Sequence, residues 1–232
     1  MVLFIKNISV EGPGILEPYF RGRGYRTNIL DLEKGDGLPR DLSGIQAVAC
    51  LGGPMNVYEE EKYTYLKDEA AFIRSIVENR IPFMGICLGA QLLAKSCGAR
   101  VRKADNEEIG FYEITLSPEG EEDIMFSGME SPVSVFQWHG DTFDIPDRGI
   151  LLAGSELCAN QAFKIGHNAY GFQFHLEVDK PVIEEWLAEY WDRADPVMKI
   201  RSRDILSEYR DIKNKFILNG QNFCRNFESL IK

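Results

Sequence analysis

Pro82-Phe83-Met84-Gly85-Ile86-Cys87-Leu88-Gly89-Ala90-Gln91-Leu92-Leu93-Ala94-Lys95 reads as a buried strand, a sharp turn centred on Cys87, and a helix that starts at once. Gly85-x-Cys87-x-Gly89 has the spacing of a nucleophile elbow with cysteine in place of serine. A residue perched on such a turn is strained, and side chains two positions either side would collide, which is what the glycines avoid. The helix start points its free N–H groups and positive dipole end at the sulfur, an arrangement that favours thiolate. The Leu88 N–H is left free to donate to an oxyanion.

Outward from the elbow, the pattern is that of an α/β domain. Upstream come a strand at Val2 to Ile8, a short helix around Leu16, Tyr19 and Phe20, and strands at Arg26 to Leu32 and Ala47 to Leu51. A helix over Lys62 to Arg80 follows, with Leu66, Ala70, Ile73 and Val77 on one face. This order predicts an open, mainly parallel, twisted sheet flanked by helices. Ligands in such sheets lie at the carboxyl ends of the strands, where Gly52-Gly53 and Cys87 both fall. From Ala99 to Ser117 the pattern changes to paired short strands, a small antiparallel part. A strand over Val133 to Trp138 runs into His139-Gly140-Asp141, and another over Ala169 to Glu177 ends polar. Asp179 and Pro181 open a helix. Beyond Pro196 a tail keeps helical spacing through Ile205, Tyr209, Ile212, Phe216, Phe223, Phe227 and Leu230, with Gly220 as a break point. The expected organisation is one domain over 1–195 and a helical extension over 196–232 packed on it.

A chain of 232 residues with 44% apolar residues can bury a sizeable core, and a formal net charge of -10 argues against nonspecific nucleic-acid or anionic-membrane binding. The five cysteines are scattered and show no CxxC pair, so neither a disulfide framework nor a metal site is expected, and no cofactor is implied. The first residues, Met1 to Lys6, turn polar too soon for a signal peptide, and no apolar run approaches a membrane span. A cytoplasmic location is the expectation.

A nucleophilic thiol needs a base, and the base an orienting group. Of the three histidines, His167 sits in a Gly-His-Asn turn and reads as exposed. His175 lies two residues before Glu177, and a period of two puts both side chains on one face of a strand. His139 follows Trp138 and has Asp141 two residues on. The residues alone keep both open and lean to His175, which ends the longer apolar strand.

Gly85-Ile86-Cys87-Leu88-Gly89-Ala90-Gln91, with Gly52-Gly53-Pro54 upstream and Phe172-Gln173-Phe174-His175-Leu176-Glu177 downstream, resembles the class I (triad) glutamine amidotransferases, and among them stand-alone relatives of the GMP synthetase glutaminase domain. The likeness covers about residues 45–178. It implies a flavodoxin-like sheet and a catalytic Cys87, His175 and Glu177, with Cys87 attacking the glutamine side-chain amide to form a γ-glutamyl thioester. It further implies an oxyanion hole at the N–H groups of Gly53 and Leu88. Gln91, Gly140 and Asp141 would contact glutamine, with Trp138 in the segment bordering the pocket and His139 a pocket-wall residue. Nothing resembles a synthetase domain, so an ammonia acceptor would sit on a separate chain, or there is none. Two alternatives stay in view: a γ-glutamyl peptide or conjugate hydrolase on the same triad, and a non-catalytic binding subunit that uses the helical tail. A cysteine peptidase-like relative ranks below these, because it would carry histidine where Leu88 stands.

Overall fold

The computed structural model describes residues 1–191 and 195–231. Strands β1 (Val2–Lys6), β2 (Thr27–Asp31), β3 (Ala47–Cys50) and β4 (Phe83–Ile86) alternate with helices α1 (Leu16–Gly22), α2 (Tyr65–Glu78) and α3 (Leu88–Ser96). They are followed by β5 (Val101–Leu116), the short α4 (Pro118–Glu121), β6 (Val133–Phe143), β7 (Gly149–Gly154), β8 (Ala162–Ile165) and β9 (Ala169–Phe172). Helices α5 (Lys180–Tyr190) and α6 (Pro196–Glu228) end the chain. The nine strands form one sheet in the order β2-β1-β3-β4-β9-β8-β7-β5-β6. The expected α/β sheet flanked by helices is present, with a parallel half from β2 to β9 and an antiparallel half from β9 to β6.

The inner parallel strands β1, β3, β4 and β9 are short and apolar on both faces, because helices cover both. All four residues of β3 and of β4 are buried. With β1, β3, β4 and β9 parallel, their carboxyl ends meet along one edge. The loops after them therefore bring Glu11, Gly52-Gly53, Cys87 and His175 into one neighbourhood.

The antiparallel half is a long ribbon. The expected pair of short strands between 99 and 117 is one continuous β5, paired with β6 over ten registered positions and shifted between Lys103 and Glu108. That irregularity places Glu108 against His139.

Helix α6 runs 33 residues without a break. Gly220 does not divide it; a Cβ there would lie 2.8 Å from the Leu176 carbonyl oxygen and 2.9 Å from Ile15, so the glycine permits close docking. The predicted stripe faces the domain. Ile205, Tyr209, Phe216, Phe223 and Phe227 are all buried, with Phe223 packed edge-on to Phe172 at 4.8 Å and Phe216 to Phe111 at 5.3 Å. Each such buried aromatic contributes roughly 1.5–3 kcal/mol by leaving water. Among the described residues no helix is long and apolar enough to cross a membrane.

Candidate active site

Cys87 stands between β4 and α3 at φ 52° and ψ −107°, a region that costs a non-glycine residue of order 1–3 kcal/mol. The flanking glycines are required by contact: a Cβ at Gly85 would strike the Gly89 carbonyl, and one at Gly89 the Cys50 carbonyl. The Cys87 N–H donates to the Phe172 carbonyl at 2.7 Å, which fixes the turn to β9. The sulfur lies 3.7 Å from the Trp138 carbonyl oxygen and 3.7 Å from Gln173 Nε2.

Strand β9 stops at Phe172, earlier than the pattern predicts, and residues 173–177 leave the ladder. His175 is instead pinned by two backbone bonds to Phe136, 3.1 and 2.8 Å long. The side chains still meet: His175 Nδ1 and Glu177 Oε1 are 2.6 Å apart, with His175 1% and Glu177 2% exposed. Burial opposes the charged ring, but the Glu177 carboxylate and the Cys87 side chain together override it and hold His175 well above its ordinary range. The edge of Trp186 packs on the imidazole at 4.9 Å. From the other side the Ile15 N–H donates to the Glu177 carbonyl at 2.8 Å.

His139 is built differently. Its Nδ1 donates to the Asp141 carbonyl at 3.0 Å and its Nε2 lies 2.9 Å from Glu108 Oε2. Glu108 is wholly buried and also accepts from Gln161 Nε2 at 2.7 Å and from the Ser155 hydroxyl at 3.2 Å. Both nitrogens of His139 are thus committed. Cys158 approaches the same pair, and ligand atoms of Glu108, His139 and Cys158 lie within 4.8 Å of one another. Each of the three is already hydrogen-bonded within the protein, so the cluster is a closed polar network with no orphaned ligand to invite an ion.

A cavity of about 210 Å³ opens onto Cys87. The predicted Gly53, Gln91, Trp138, Gly140 and Asp141 line it, as does His139. Gln91 is held by Gln173 Oε1 at 3.2 Å and by the Asp141 carbonyl at 3.4 Å. Leu88 opens α3, so its N–H is among those that no helical carbonyl reaches. It adjoins Gly53, where a Cβ would lie 3.1 Å from Leu88 Cδ2. Asn56 and Glu107 also line the cavity and were not singled out from sequence; they carry no motif of their own. Gln173 was legible only as part of the downstream motif, and Glu108 not at all, because its importance depends on the β5 irregularity. His167 is exposed, as expected.

The family profile for glutamine amidotransferase class-I matches residues 15–187. The chain is 32% identical over 186 residues to the glutamine amidotransferase-like protein YfeJ of Salmonella typhimurium, covering 79% of this chain and 78% of that one. It is 34% identical over 143 residues, 61% of its length, to a glutamine-hydrolysing GMP synthase of Porphyromonas gingivalis, of which it spans about a quarter (26%). A crystal structure of a Thermotoga maritima glutamine amidotransferase superposes with a TM-score of 0.85 at 38% identity, covering 98% of this chain and 97% of the other. With its cysteine elbow, its buried histidine–glutamate pair and a profile match across most of its length, the chain belongs to the class I glutamine amidotransferase family.

Proposed function

We propose that Cys87, His175 and Glu177 form the catalytic triad that hydrolyses the side-chain amide of glutamine through a γ-glutamyl thioester. The observation that carries this reading is a cysteine forced into left-handed backbone at a helix start, facing a buried imidazole whose far nitrogen is held by a carboxylate at 2.6 Å. His175, its charged form favoured by Glu177 and Cys87, already carries the thiol proton, and the thiolate Sγ attacks the amide carbon. The N–H groups of Gly53 and Leu88 receive the oxyanion. His175 returns the proton to the departing nitrogen, ammonia leaves, and His175 then activates the water that cleaves the thioester to glutamate and free thiol. Glu177 keeps Nδ1 as donor and stabilises the imidazolium. Gln91, Trp138, Gly140 and Asp141 shape the glutamine pocket.

The chain spans about a quarter of the GMP synthase it resembles, and an acceptor on a separate chain is the proposed destination of the ammonia. The test is ammonia release from glutamine by the isolated protein, beside amine release from γ-glutamyl compounds and labelling of Cys87 by an electrophilic glutamine analogue. Ammonia release with labelling supports the proposal. A preference for γ-glutamyl amines keeps the triad and changes the leaving group. An unlabelled Cys87 with neither activity overturns it in favour of a binding subunit.

A further inference from the structure

The loop between β1 and α1 brings a second carboxylate to the triad. Glu11 is only 7% exposed, and its Oε1 accepts a 2.7 Å bond from the Tyr190 hydroxyl at the end of α5. Its Oε2 lies against Gly52. A Cβ at that glycine would collide with Glu11 Oε2 while sitting 3.4 Å from His175 Cε1 and 3.6 Å from Cys87 Cβ. Carboxylate, imidazole and nucleophile therefore converge on one glycine. The Tyr190 ring also packs on Trp138 at 5.7 Å, and Trp138 supplies the carbonyl nearest the Cys87 sulfur.

The groups that act on one another here come from four elements. His175 and Glu177 face Glu11 from the segment after β9, Cys87 faces His175 from the elbow, and Tyr190 faces both Glu11 and Cys87 from α5, with Glu189 beside it. Burial pushes the Glu11 carboxyl up, and the Tyr190 hydrogen bond holds it partly back.

We propose that Glu11 is a positioning residue of this site: its carboxylate, held by Tyr190, adds to Glu177 in setting the charge felt by His175 and Cys87, and so the pH window in which that pair reacts. The inference rests on the reading of Cys87 and His175 as the reactive pair. Removing a negative neighbour lowers the pKa of every titrating group beside it, whether thiol or imidazolium.

The test is Glu11→Gln, which keeps the shape and an oxygen for Tyr190. The rate of iodoacetamide alkylation, read at the Cys87 peptide by mass spectrometry, is followed from acid to alkaline pH, beside kcat/KM for ammonia release. Both limbs are expected to move to lower pH by about one unit. Glu11→Asp keeps the charge and leaves the limbs in place whatever rate it loses. Should Glu11→Gln fail to fold, Glu11→Ala with Tyr190→Phe removes the charge and its donor together, with the same downward shift expected. Limbs that superimpose on those of the unaltered protein overturn the inference and reduce Glu11 to a tether. A shifted alkylation profile in a protein inert toward glutamine overturns the proposed reaction and leaves the inference standing.

Discussion

Two buried histidine–glutamate pairs lie near Cys87, and their ring nitrogens are spent differently. At His175–Glu177 the carboxylate takes one ring nitrogen and the other is left for Cys87. At His139–Glu108 a carbonyl takes one nitrogen and the carboxylate the other, while Gln161 and Ser155 complete the carboxylate's shell. Residue types are the same and burial is the same; the spare nitrogen differs. What separates the proposed base from a buttress is unspent hydrogen-bonding capacity.

The comparison breaks at once if the nucleophile is wrong, and this is where the largest effect is expected. Cys87→Ala removes the proposed nucleophile and should lower kcat for ammonia release by about 10⁶ while the fold persists. Circular dichroism and activity measured on the same preparation check it, and activity near that of the unaltered protein would break the mechanism.

His175→Asn should lower kcat by at least about 10³, whereas His139→Asn should act mainly on stability. Loss of the His139 ring leaves the buried Glu108 short of a partner, at a cost of about 3 kcal/mol in urea unfolding. If the two variants exchanged these phenotypes, the assignment of the base would be reversed. The pH dependence sharpens the contrast. The folded-state pKa of His175 is raised, so its stabilising contribution is complete below the unfolded value of about 6.5 and is lost as pH rises through the raised value. The stability gap between the unaltered protein and His175→Asn should therefore be widest in acid and close toward alkaline pH.

The carboxylates divide along the same line with smaller effects. Glu177→Gln removes the charge behind the base and should cut kcat by about 10²–10⁴ with little change in KM. Glu108→Gln should leave kcat nearly intact and cost about 1–3 kcal/mol, because one of its buried bonds loses its acceptor. Steady-state kinetics and urea midpoints on the two variants separate turnover from support.

Sequence reached the parallel half of the sheet and the elbow because both are local. The Gly85-x-Cys87-x-Gly89 spacing meets its steric reason in the Gly89 and Cys50 carbonyls. The His175–Glu177 pair was placed correctly for a partly different reason: the strand expected to align them ends at Phe172, and the backbone bonds to Phe136 do the aligning. Gly220 read as a break because glycine weakens helices, but tertiary contact overrode propensity. Glu108 and Glu11 were illegible because a lone glutamate carries no periodic signal, and each acquires its partners only through long-range pairing.

The smallest expected effect on turnover lies below the elbow, at another buried carboxylate, Glu69, which tests whether unspent capacity also governs stability. Glu69 on α2 accepts from the Cys50 thiol at 2.9 Å, while its Oε2 has no partner. The buried Asn7 Oδ1 also has no partner. Burial raises the Glu69 carboxyl to about 7, against the opposing pull of the Cys50 and Asn7 side chains. The neutral carboxyl is the form that the buried site stabilises. Because the folded pKa exceeds the unfolded one, this contribution is present below about pH 4.5 and is lost as pH rises through 7, a swing on the order of 3 kcal/mol. Glu69→Gln is uncharged at every pH, so its unfolding free energy should lack that slope between pH 5 and 8. A variant that loses stability in parallel with the unaltered protein across that range would show that Glu69 is ionised throughout.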